Sequence, residues 1–445
     1  MKTRLLLALL SLSALAAAAA NGKPKAFPYA YDQYDMDNGL RVVTVPTSYP
    51  NVVALYIVVQ AGSRNEVEPG KTGFAHFFEH MMFRGTKAFP PEKFQAVMQE
   101  AGAANNAFTS DDLTAYHTTF SKPDLEPMMR MEADRFQNLD YSLTGFQTEA
   151  LAVLGEYNKN SASPFLKISE TLQATAFKKH TYAHTTMGYL ADIKDMPNQF
   201  AYSKEFFKRF YRPEYTTILV VGDIQVDQVR ELAKRYWSGW QRGSYTSPIE
   251  AEPPQDASRS AHIDWPTPTL PILTIAFRAP AYSDTEKDSA ALDLIAELGF
   301  SENSPLYKKL VLDNQQTDSL QASNAGQVDP NLFTIFSRVK KKEDMPGVQE
   351  EVLSTLAGFK DTPVARERLD RVRRNLRYSL AVSMDNSEAI ARTLARAIAL
   401  RRTPETLNKI ADVYESITPD DLVQVARKYF TENNRTVITL TGASK

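Results

Sequence analysis

Between Phe74 and Phe83 the chain reads FAHFFEHMMF, and few stretches of this length restrict a fold more. Phe74, Phe77, Phe78, Met81, Met82 and Phe83 make a helix here apolar around most of its circumference, which implies burial. Within that surface stand His76, Glu79 and His80. Buried imidazoles and carboxylates need partners, and one metal ion would serve all three. His76 and His80 stand at i and i+4, share a helix face, and can point at the same ion. Glu79 projects beside them, where a carboxylate can take a proton from water. The chain has only six histidines, so two of them flanking one glutamate is a specific signal.

The spacing His-x-x-Glu-His is the inverted form of a zinc-peptidase motif. Two imidazoles leave a catalytic zinc one ligand short, because three protein ligands plus water are usual. Candidate carboxylates lie in TEALAVLGEYNKN. There Glu149 and Glu156 are seven residues apart, about two helical turns, and share a face.

The length of 445 residues exceeds one typical core and points to two or more domains. A formal charge of −2 gives no electrostatic footprint for nucleic acid. With no cysteine, stability must come from apolar packing rather than disulfides. Lys2 and Arg4 precede a Leu, Ala and Ser run ending in small residues, so residues 1–20 read as a secretory signal peptide. The run is short for a membrane span, and no later stretch is apolar enough to cross a bilayer. An exported protein is expected, with the periplasm as first choice and the extracellular space as second.

Residues 39–46 and 52–60 are rich in β-branched side chains and read as strands before the His-Glu-His helix. A helix from 92, two strands within 101–120, and helices over 124–138 and 144–158 follow. A strand over 215–221 and an amphipathic helix over 226–237 close this part. GSYTSPIEAEPPQD, residues 243–256, has three prolines and no apolar period, and reads as a linker. Beyond it LTIAF at 273–277 and a helix over 288–298 repeat the earlier strand-to-helix order without the His-Glu-His triplet. Duplication is therefore expected, with one domain over 28–242 and a homologous domain without metal over 257–445.

The stretch 71–86, KTGFAHFFEHMMFRGT, resembles the signature G-x-x-H-x-x-E-H-x-x-F-x-G-T of the pitrilysin–insulinase family of zinc peptidases. Gly73, His76, Glu79, His80, Phe83, Gly85 and Thr86 fill every fixed position. The resemblance implies an α+β fold of two homologous domains, each a mixed sheet packed by helices, together forming half of a clamshell. It implies a secreted zinc metalloendopeptidase acting on peptides or extended segments. Zn2+ would be held by His76, His80 and Glu156, with Glu149 orienting a ligand and Glu79 as the catalytic base. NNAFTSDDLTAY resembles the family's substrate-pairing edge strand, which gives Asn106, Ala107 and Thr109 a substrate-binding role, with Asp112, Thr114 and Tyr116 continuing the pattern. His184 reads as structural, while His117 and His262 carry no pattern.

One part of the family pattern is missing. Active members supply an Arg and, seven residues later, a Tyr from the second domain as donors to substrate and oxyanion. Here Val311 stands at the Arg position and Asp318 at or beside the Tyr position. Arg371 and Tyr378 have the right spacing but lie in a charged helical run well past the matching segment. The expectation is a homologous partner chain carrying the Arg–Tyr pair. A homodimer is the alternative assembly, and a non-catalytic zinc-containing assembly or peptide-binding subunit is the alternative function.

Overall fold

The structure, a computed structural model, describes residues 25–443, so the expected signal peptide lies outside the described residues. The first half begins with β1 (Asp32–Asp35), β2 (Arg41–Pro46) and β3 (Val52–Val59), then α1 (Phe74–Met81) and α2 (Pro91–Glu100). The hairpin β4 (Ala104–Thr109) and β5 (Thr114–Ser121) leads into α3 (Leu125–Asn138), α4 (Leu143–Asn160) and α5 (Pro164–Ala176). After α6 (Leu190–Asp195) and α7 (Phe200–Phe210), β6 (Thr216–Gly222) and α8 (Val226–Trp237) complete it. The strands lie in the order β1-β2-β6-β3-β5-β4, with β2 and β6 parallel and the remaining neighbours antiparallel.

The second half has β7 (Arg259–Trp265), β8 (Ile272–Arg278) and α9 (Lys287–Phe300). Next come α10 (Pro305–Tyr307), a π-helical turn over Lys308–Asp313, β9 (Thr317–Asn324) and β10 (Leu332–Val339). Helices α11 (Met345–Asp361), α12 (Arg366–Val382), α13 (Ser387–Arg401), α14 (Glu405–Ser416) and α15 (Pro419–Tyr429) precede β11 (Arg435–Gly442). Its order β7-β11-β8-β10-β9 repeats the first sheet without β1, including the single parallel pair, now β7 and β11. Helix α9 occupies the place of α1 in this repeat.

Each half covers a face of the other's sheet. Ile390, Ala391, Leu394 and Ile398 of α13 pack on Val43, Tyr56, Val58 and Leu219 of the first sheet. In return, Ile168, Leu172 and Ala176 of α5 pack on Ile263, Ile272, Ile438 and Leu440 of the second. An uncovered apolar sheet face is costly in water, so this exchange ties the halves together. Residues 243–256 form no regular element, yet they are not slack. The buried Glu252 carboxylate accepts the N–H groups of Lys178, Lys179 and His180 at 2.9, 2.7 and 3.0 Å.

A polar contact adds to the apolar ones. In the loop between β9 and β10, Asp329 accepts from Arg64 Nε at 2.5 Å and lies 2.9 Å from His180 Nε2. The neighbouring Val328 N–H donates to Asp112 at 3.0 Å, and Gln327 donates to Asp111 at 2.6 Å. This second-half loop therefore grips the turn between β4 and β5. Strand β4 is outermost in its sheet and leaves one edge unpaired. Among the described residues no helix is long and apolar enough to cross a membrane.

Candidate metal centre and substrate edge

Helix α1 starts where Gly73 takes φ +91°, a conformation that suits glycine, and a Cβ there would stand 3.0 Å from the Met187 carbonyl oxygen. Its first N–H groups have no partner inside the helix, and the buried Glu66 carboxylate takes them from Gly73 at 2.8 Å and Ala75 at 2.7 Å. Gly85, at φ +80°, lets the chain leave, and a Cβ there would meet the Phe89 carbonyl at 2.5 Å. Rotation of the helix is set by its aromatic face. Phe77 meets Phe146 edge-on at 5.0 Å, and Phe78 stacks on Phe206 at 5.5 Å. With those rings buried, His76 and His80 face α4.

There the structure brings His76, His80 and Glu156 together. Glu156 Oε2 lies 3.6 Å from His76 Nε2 and 3.3 Å from His80 Nε2. One ligand atom from each of the three residues lies within 4.8 Å of the others. Ligands at about 2.0–2.2 Å from a tetrahedral zinc stand about 3.3–3.5 Å apart, so the two N···O separations fit such an ion. Burial, joined by the nearby His80, pushes His76 down to about 4, so its imidazole is neutral near pH 7 and keeps a lone pair to offer. His80 is raised instead, chiefly by its hydrogen bond to Glu149.

Glu149 stands apart from the three converging atoms. Its Oε1 lies 3.2 Å from His80 Nδ1, and Arg84 Nε donates to Oε2. Burial pushes Glu149 up, but the bonds from His80 and Arg84 outweigh it and hold the carboxyl below its usual value. A carboxylate accepting from Nδ1 directs the other ring nitrogen towards a ligand position. Sequence reasoning missed Arg84; the available signal was its i+4 offset from His80, one turn on. His76 Nδ1 is buried with no hydrogen-bond partner among the described residues.

Glu79 leaves the ligand cluster and turns to β4, accepting the Thr109 hydroxyl at 2.6 Å. Burial raises its pKa, opposed by that bond. On the same strand Ala107 is buried, and its N–H donates to the Asn106 side-chain oxygen at 2.9 Å. Of the residues that continue the pattern, Tyr116 donates to the Phe78 carbonyl of α1 at 3.0 Å and Thr114 to Ala61 at 2.9 Å, while Asp112 faces the second half. Glu79, the group formed by His76, His80 and Glu156, and an open strand edge thus share one place.

The remaining candidates lie elsewhere. Val311 packs half-buried on the second core, and Asp318 pairs with Arg338 at 2.8 Å. Arg371 and Tyr378 are exposed on α12. His184 is buried, its Nδ1 3.0 Å from the Thr185 carbonyl, and His117 stacks on Tyr56 at 4.7 Å. His262 Nδ1 lies 2.7 Å from the Thr439 hydroxyl.

Known proteins resemble this arrangement along almost the whole chain. Residues 41–189 match the family model described as insulinase (peptidase family M16), and residues 201–376 match the one described as peptidase M16 inactive domain. The zinc protease PqqE of Helicobacter pylori is 26% identical over 423 residues, 92% of each chain. A probable mitochondrial-processing peptidase subunit beta of Schizosaccharomyces pombe is 25% identical, over 88% of this chain and 87% of that one. The crystal structure of a protease from Helicobacter pylori superposes with a TM-score of 0.86 at 26% identity, covering 93% of this chain and all of that one.

Proposed function

The chain belongs to the insulinase family of peptidases, M16, and on that premise we propose that it is a zinc metalloendopeptidase hydrolysing peptides or extended polypeptide segments. The observation that carries this reading is the convergence of His76, His80 and Glu156 beside a glutamate, Glu79, that is hydrogen-bonded to the open-edged strand β4. His76, His80 and Glu156 would hold the zinc, with Glu149 orienting His80. Zinc so held would polarise the scissile carbonyl and lower the pKa of water towards about 7. Glu79 accepts the proton of the attacking water and delivers it to the departing amine. Burial raises its pKa, which favours uptake of a proton by the carboxylate. Asn106, Ala107 and Thr109 would align the substrate backbone along β4, with little demand on its sequence. Residues 1–20, read as a signal peptide, support export, with the periplasm as the proposed compartment.

Metal analysis and peptide cleavage of point variants test the roles. His76→Ala, His80→Ala and Glu156→Gln should each lose bound zinc, because each removes one of three ligands. Glu79→Gln should keep zinc and lose turnover. A Glu79→Gln protein stripped of metal would mean that the assignment of base and ligand is wrong.

Val311 and Asp318 favour a second reading, in which the chain is a zinc-containing assembly or peptide-binding subunit that does not itself cleave. Under it, Glu79→Gln leaves every measurable property of the complex unchanged. The first reading is preferred because a structural metal site has no use for a base placed beside it. It includes a homologous partner chain that supplies the Arg–Tyr pair.

A further inference from the structure

Residues 184–192 play no part in the reading above, yet they close on the first turn of α1. Gly188, at φ +80°, lies so near that a Cβ there would stand 2.7 Å from the Gly73 nitrogen. The Tyr189 N–H donates to the Thr72 hydroxyl at 2.8 Å, and that hydroxyl donates to Asp192 of α6 at 2.7 Å. Asp192 also accepts the Thr72 N–H at 3.2 Å. Glu66, whose side chain has no exposed surface, completes the collar by taking the Gly73 and Ala75 N–H groups, one on each oxygen.

A helix of eight residues has little stability of its own, so its place depends on what its ends are tied to. His76 is its third residue and stands in the turn that these groups hold. The two imidazoles of the cluster differ in how they are held. His80 Nδ1 lies beside Glu149, which directs the ring. His76 Nδ1 is buried with no hydrogen-bond partner among the described residues, so no bond at that nitrogen orients its ring. The placing of His76 therefore falls to the backbone of the first turn. Glu66 and Thr72 both act on that backbone, and neither belongs to the converging group of His76, His80 and Glu156.

We propose that Glu66 and Thr72 are positioning residues of the metal centre. By fastening the start of α1, they hold His76 Nε2 opposite Glu156. The segment 184–192 gains a task from this: its Asp192 carboxylate and Tyr189 N–H keep Thr72 in place. The inference rests on the zinc reading above and gives neither residue a contact with metal or substrate. A ligand displaced by about 1 Å can cost about 100-fold in rate, so contacts remote from the reacting atoms matter.

Zinc affinity measured by chelator competition, and the visible spectrum of the cobalt-loaded full chain, test the assignment. Thr72→Val removes both hydroxyl contacts at nearly constant volume, and Thr72→Ser keeps them. Glu66→Gln keeps the shape but turns an NH2 group towards one of two N–H donors. Thr72→Val and Glu66→Gln should each bind zinc about tenfold or more weakly and shift the cobalt bands, with an unchanged circular dichroism spectrum. Thr72→Ser should restore both readouts. A contribution to fold stability alone would lower the melting temperature and move neither. Native zinc affinity with an unshifted cobalt spectrum in either folded variant overturns the proposal, as does a Thr72→Ser protein no better than Thr72→Val. Should Glu66→Gln not fold, the Thr72 pair decides. A native chain that binds no zinc overturns the function proposed above and this inference with it; a native chain that binds zinc, beside unaffected variants, overturns this inference alone.

Discussion

Glu79 and Glu149 are both glutamates beside His80, and their contacts divide the work. Glu149 is bonded by Arg84 and His80; Glu79 has, among the described residues, one hydroxyl donor, Thr109, and faces the strand edge. That bond opposes the burial that raises the Glu79 pKa. A hydrogen bond to a charged group is worth about 1.5–3 kcal/mol, so Thr109→Val should lower kcat by about tenfold or more while zinc content stays the same. Thr109→Ser keeps the hydroxyl and should recover most of the rate. Equal kcat for the valine and native proteins would remove Thr109 from the support of Glu79. The His-Glu-His triplet was legible from spacing alone. The division between Glu149 and Glu156 was not, because two residues on one helix face differ only in what the rest of the fold brings to each. Family resemblance, rather than periodicity, separated them.

The elements most visible in the sequence were those whose burial is one-sided or complete: β2, β3, β6, α8 and the repeated strand-to-helix order. The exchange of α5 and α13 was invisible. An apolar stripe shows that a helix is covered, without showing which sheet covers it, and here the covering sheet belongs to the other half. The same limit applies to residues 243–256, whose composition reads as a free linker although Glu252 fastens it to three backbone N–H groups. Strand β4 matters as an element because its outer edge is unpaired. Ala107→Pro should weaken peptide binding with zinc content unchanged, since proline removes a backbone donor and alters the edge. The N–H it removes now bonds the Asn106 side chain, so an incoming peptide would exchange for that contact. Unaltered peptide affinity in a folded, zinc-loaded Ala107→Pro protein would separate β4 from substrate binding.

Across the whole molecule, the two halves meet at Asp329, and Val311 and Asp318 stand where the resemblance would place an Arg and a Tyr. Burial pushes the Asp329 carboxyl up from 3.8, but hydrogen bonds from His180 and Arg64 outweigh it and hold it at about 2. A depressed carboxyl stabilises the fold above its unfolded value and loses that contribution as pH falls through the folded one. Native protein should therefore melt above Asp329→Asn at pH 5, with the gap closing between about pH 4 and pH 2. A gap constant over that range would show that the ion pair does not join the halves. Val311 is packed into the second core and Asp318 is occupied by Arg338, so neither can donate to an oxyanion. Loss of one such donor costs about 100- to 1,000-fold in turnover, and the isolated chain should be a poor peptidase by at least that factor. A second copy of the chain would bring only another Val311 and Asp318, which argues against a homodimer as the complete enzyme. A homologous chain with Arg and Tyr at those positions should instead close the clamshell and restore the rate. The chain is purified alone, its zinc measured, and cleavage of a mixed peptide library followed before and after the partner is added. Full activity of the isolated chain, undiminished when Arg371 and Tyr378 are replaced, would rule out both the two-chain site and its substitute on α12.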